Sequence, residues 1–113
     1  MIAASQMIFY RRAGLVLPID DKYITPFLTS TKPGKLIGSV EIKIIKELAV
    51  STIDAMQTDL NTKNFNNYTK SENIERVYGL ELLAIEDALA FLLYHEGCHA
   101  GRINAIKQLL SSN

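Results

Sequence analysis

This 113-residue chain predicts an all-α bundle. Apolar residues recur at three- and four-residue spacing in three segments, about 1–13, 40–60 and 85–110, which is the period of a helix that buries one face. Two long connections join these segments, and all three prolines, Pro18, Pro26 and Pro33, fall in the first of them. Helices that each bury one stripe pack against one another, so a single bundle domain follows.

The first segment runs from Met1 to Ala13. Ile2, Ser5, Ile8, Phe9 and Arg12 mark successive turns, with Ala3, Ala4 and Met7 between them, and Gly14 is placed to stop the helix. The apolar pattern begins at once, with no capping residue before it, as though the helix should start earlier. The connection from Leu15 to Gly38, about 24 residues, is long enough to run the length of a bundle. Tyr23, Ile24, Phe27 and Leu28 are expected to pin it to the bundle end.

Ser39 is the expected cap of the second helix. Its buried stripe reads Ile44, Ile45, Leu48, Ala49, Thr52, Ala55, Met56 and Leu60, while Lys43 and Glu47 sit four apart on the exposed side. The second connection, Asn61 to Ala84, opens with turn-rich Asn61–Tyr68, and 72–83 holds a short extended or helical piece.

The third helix starts near Ile85, with Glu86 and Asp87 in its first turn, where carboxylates complement the helix dipole. Leu89, Leu92, Glu96, His99, Ile103, Ile106 and Leu110 form a stripe that should face a core. Gly97 and Gly101 each cost roughly 1 kcal/mol of helix propensity relative to Ala. Close approach of a neighbouring helix is the expected compensation.

Composition narrows the function classes. Twelve basic and twelve acidic residues leave no net charge, which gives no pull towards nucleic acid or an anionic membrane. The 48% hydrophobic share suits a globular domain, and the apolar runs are too short to span a bilayer. One cysteine, Cys98, excludes an internal disulfide framework and fits a reducing cytosol. No signal peptide is visible in 1–10, so a cytoplasmic location is expected.

The chemistry concentrates in His95-Glu96-Gly97-Cys98-His99. The chain has two histidines, and both are here, four residues apart. On a helix that is about one turn, so both imidazoles leave from one face and can share one metal ion. Their setting among leucines and isoleucines is unlike that of a surface pair. The alternative role for the pair is structural, as hydrogen-bonded core residues. Glu96 is either an orienting or catalytic carboxylate or a partly buried charge paired with a neighbour. Cys98 reads as a small packed side chain.

The stretch Leu92-Leu93-Tyr94-His95-Glu96-Gly97-Cys98-His99-Ala100-Gly101-Arg102-Ile103 resembles the final-helix motif of the DinB/YfiT-like superfamily. There a His, three residues and a second His are followed closely by Gly, often Gln, and an aliphatic residue; here Arg102 stands where Gln is common. Met1-Ile2-Ala3-Ala4-Ser5-Gln6 is similar to the stretch after that family's first metal-binding His, and Pro18 and the two long connections also fit. The resemblance implies an up-down-down-up four-helix bundle, of which three helices are recognisable in this chain. It implies a divalent metal ion (Zn, Ni or Fe) held by His95 and His99, and a thiol transferase or metal-dependent hydrolase acting on a small molecule, with a low-molecular-weight thiol as a possible co-reactant. The family's first helix and first His would lie before Met1. The expectation is a shortened form of a longer protein, or a bundle lacking one helix.

Two other classes stay open. His95-Glu96-Gly97-Cys98-His99 satisfies H-E-x-x-H, in which Glu polarises a zinc-bound water, but no His, Asp or Glu follows His99 to complete the ligand set. A non-catalytic helical module with a vestigial metal site would dimerise through its uncovered apolar stripe, and a homodimer is the expected assembly.

Overall fold

The computed structural model describes residues 2–32, 34 and 38–112, and among them every regular element is helical, with no strand. Helix α1 covers 2–13, and Met1, where the expected helix begins, lies outside the described residues. Two 3-10 turns, Asp21–Tyr23 and Thr25–Phe27, follow. Then come α2 (Ser39–Thr62), the short α3 (Glu72–Tyr78) and α4 (Ile85–Ser111). No helix is long and apolar enough to cross a membrane among the described residues.

Helix α1 is the centre of the packing. Ala3, Gln6, Ile8, Phe9, Tyr10 and Ala13 are all buried. Burial of three consecutive residues, 8–10, means that the helix is covered around much of its circumference rather than along one stripe. Its middle, Gln6–Tyr10, is π-helical, and Arg11–Ala13 tightens to 3-10 before Gly14 ends the helix at φ 71°. The apolar spacing does not reveal this π stretch. Phe9 stacks edge-on against Tyr10 and Phe65, each at 4.8 Å between ring centres. The core continues through Ile74, Leu82, Ala88, Phe91 and Leu92.

Polar ties fix α1 to its neighbours. Tyr10 Oη donates to Asp59 Oδ2 of α2 at 2.8 Å, and Tyr68 Oη donates to the Ile8 carbonyl at 2.7 Å. The Thr69 amide and hydroxyl both donate to the Arg12 carbonyl, at 2.7 and 3.0 Å. The connection after α2 is thereby sewn to the end of α1.

The α2 stripe lies where its spacing places it: Thr52 is buried, and Ile44, Ile45, Leu48, Ala49, Ala55 and Met56 are half-buried. Leu60, at its end, is exposed. Gly38, not Ser39, takes the cap position: its extended backbone presents the carbonyl to the Ile42 amide at 3.1 Å, which puts Ser39 inside the first turn. In the first connection Ile24 is buried as expected, whereas Phe27 is 56% exposed because its 3-10 turn ends at the protein surface. The undecided piece in 72–83 is helical and stops at Gly79, φ 66°.

Helix α4 is capped by Asp87, whose Oδ2 accepts from the Leu83 and Ala84 amides at 2.9 and 3.1 Å. Its first half packs as expected. The second half does not: Ile103, Ile106, Leu109 and Leu110 are all more than half exposed. The predicted core stripe is therefore covered only as far as His99, because none of the other elements extends beside the last three turns. Gly97 and Gly101 face open space, with nothing within 4 Å of a Cβ placed at either, so the expected neighbouring helix is missing there.

Candidate metal centre and its cavity

One helical turn brings His95 and His99 together, with Nε2 to Nε2 at 3.3 Å and the rings edge to face at 75°. Two nitrogens bound to one tetrahedral zinc ion, each 2.0–2.1 Å from it, stand about 3.3 Å apart. The two ring nitrogens face each other in a long hydrogen bond, in which one imidazole donates and the other accepts.

His95 is held from three sides. Phe91, one turn earlier, lies 5.8 Å from its ring centre. His99 faces Nε2. On the far side, Nδ1 lies 3.6 Å from Glu96 Oε1, too long for a hydrogen bond but close enough for a carboxylate to orient the ring. Burial pushes the His95 pKa below its ordinary value, the neighbouring His99 lowers it further, and Glu96 partly offsets both. The ring is therefore neutral at neutral pH, the form that coordinates a metal.

Both histidines line a cavity of about 720 Å³. Helix α1 lines the same cavity through Ile2, Ala3, Met7 and Ile8, and α2 contributes Ile45 and Ala49. Both histidines and these α1 side chains thus border one cavity. Polar atoms come from Arg12, Tyr23, Ser71, Asn73 and Tyr78. The sequence reads Arg12 only as a turn marker on the first helix. Its place at the cavity depends on the fold, where Nη1 donates to the Lys70 carbonyl at 3.2 Å.

Glu96 and Cys98 stand apart from this cavity. Glu96 lines a second, mostly apolar groove of about 470 Å³ between α2 and α4, although its Oε1 reaches back to His95. Cys98 is exposed and interacts with Tyr94 one turn earlier, raising the pKa of that phenol; the thiol is neither packed in the core, as expected, nor aimed at the histidines. Among the described residues no group of three or more His, Cys, Asp or Glu converges to hold a metal ion. His95 and His99 alone would supply two positions of a metal site.

The chain matches no protein-family model, no curated protein and no solved structure.

Proposed function

We propose that this chain is a DinB-like divalent-metal-binding protein of the cytoplasm, a thiol transferase or metal-dependent hydrolase that takes a small molecule into the cavity lined by His95 and His99. The observation that carries the proposal is the 3.3 Å separation of the two Nε2 atoms on the wall of that cavity. The long connection between α1 and α2 supports the up-down-down-up arrangement, since it has the length to return along a bundle.

Bound zinc, nickel or iron would lower the pKa of a coordinated water or substrate thiol, supplying a nucleophile at neutral pH. The chain's own residues do the positioning. His95 and His99 each offer Nε2, and Glu96 Oε1, 3.6 Å from Nδ1, would orient the His95 ring by its charge. Phe91 and Ile74 give the cavity an apolar wall. Arg12 carries a fixed positive charge at the cavity wall, so its natural complement is an anionic group on the substrate. A third ligand would come from an upstream extension or a partner subunit.

The exposed apolar residues of 103–110 favour a second reading, a non-catalytic dimerisation module with a vestigial metal site. Metal analysis of the purified protein, combined with turnover assays using thiol acceptors, separates the two. Metal that is lost in His95→Ala, with turnover that follows it, supports the enzyme. Purified protein that takes up no divalent metal supports the module. Casein digestion that depends on Glu96 would instead support a zinc protease.

A further inference from the structure

We infer, building on the proposed role of this cavity as a substrate site, that its substrate is a medium-chain carboxylate. The carboxylate sits at Arg12, and the apolar chain runs towards His95 and His99.

The cavity has two chemically different ends. Arg12 marks one. Its Nη1 donates to the Lys70 carbonyl at 3.2 Å, which holds the guanidinium close to Ser71, the next residue and also part of the lining. The histidine pair marks the other end. Tyr78, in the last turn of α3, meets Phe91 at 5.1 Å between ring centres, and Phe91 meets His95 at 5.8 Å. Helix α3 therefore leads from one end to the other. Ser71 to Tyr78 spans seven residues, a rise of about 10 Å. Helix α4 gives a second measure. The Tyr68 phenol feels the charges of both Arg12 and Asp87, which puts the start of α4 at the Arg12 end. Asp87 to His95 spans eight residues, a rise of about 12 Å.

The lining between these ends is apolar, with Met7 and Ile8 of α1, Ile74 of α3 and Phe91 of α4. Phe27 and Tyr78 also line the cavity and are 56% and 42% exposed, so an apolar chain lying against them would cover surface that now meets water. The volume of about 720 Å³ falls within the range of small-molecule sites, about 300–1000 Å³. The guanidinium offers N–H groups in the fork geometry that matches a carboxylate. Acidic groups at that end have partners of their own. Asp87 accepts from the Leu83 and Ala84 amides, and Glu75 pairs with Lys70 Nζ at 3.0 Å. An anion joined to an apolar chain about 10 Å long matches both the charge and the span. A short dicarboxylate would leave the apolar middle unfilled.

The test is isothermal titration of octanoate into protein stripped with chelator, with 1-octanol and succinate as comparators. Octanoate should bind about tenfold more tightly than octanol, the effect of one charge-assisted contact, and succinate should bind more weakly than octanoate. Arg12→Met should bring octanoate down to the octanol level and leave octanol unchanged, and Arg12→Lys should restore part of the difference. The Thr69 bonds run to the Arg12 backbone carbonyl, so both variants keep them, and helical circular dichroism should be unchanged. With metal removed, the outcome is independent of metal binding: octanoate that fails to bind strikes the substrate class and leaves the histidine pair standing. Octanoate that binds no better than octanol or succinate would overturn the inference. So would an affinity that survives Arg12→Met, or one that is lost in His99→Ala instead.

Discussion

Tyr10 Oη donates a 2.8 Å hydrogen bond to Asp59 Oδ2, joining the most deeply buried part of α1 to the last turns of α2. The Asp59 carboxylate also meets Lys63 Nζ at 3.4 Å, so it keeps a partner when the phenol is removed. Tyr10→Phe should therefore cost about 1–2 kcal/mol, the value of a hydrogen bond to a charged group, without the penalty of an abandoned buried charge. Urea denaturation of the two proteins measures this. A loss below about 0.5 kcal/mol would show that the contact is not a structural tie.

The tyrosines should also contribute to stability at alkaline pH. Burial, as the largest cause, pushes the Tyr68 phenol up to about 12; Asp87 adds to the rise and Arg12 opposes it. Tyr10 is raised as well, by burial first and then by its bond to Asp59. Both folded-state values lie above the unfolded value of about 10, so the folded chain holds these protons more tightly. Their contribution is fully present below pH of about 10 and is lost as pH rises towards 12. Lys70, raised by hydrogen bonds to Glu75 and Glu81, acts in the same direction. Stability measured by denaturant between pH 9 and 12 should fall, and Tyr68→Phe should flatten the decline. An equal slope in the variant would contradict the assignment to Tyr68.

Gln6 is fully buried in the π-helical stretch, and among the described residues neither atom of its amide finds a hydrogen-bond partner. A buried amide left in this state costs about 1–3 kcal/mol. Gln6→Met keeps the length and removes the polar atoms, so it should be neutral or raise stability by about 1 kcal/mol. Thermal unfolding decides the point. A marked loss in the Met variant would mean that the amide is satisfied in solution, for instance by a buried water.

How much of this was legible in the residues varies by element. The helices over 40–60 and 85–110 follow from long, regular apolar spacing, a signal set by burial of one face. The π stretch at Gln6–Tyr10 was not legible, because the apolar spacing there is that of an ordinary helix. The 103–110 stripe looks identical to a core stripe in sequence; only the fold shows that nothing covers it. In the candidate site, His95 and His99 could be placed together because four residues make about one helical turn. Arg12, Asn73 and Tyr78 reach the cavity from positions far apart in the chain, and local spacing carries no trace of such convergence.

The central claim is that His95 and His99 form a metal-binding pair. Isothermal titration of Zn²⁺ or Ni²⁺ into protein stripped with chelator tests it most directly. Two ligands leave several coordination positions to water, so the account predicts weak, readily exchanged binding in this chain. That binding should vanish in His99→Ala and persist almost unchanged in Cys98→Ser, since the Cys98 thiol lies apart from the pair. Tight stoichiometric binding that survives His99→Ala, or no binding by the wild-type chain, would contradict the account.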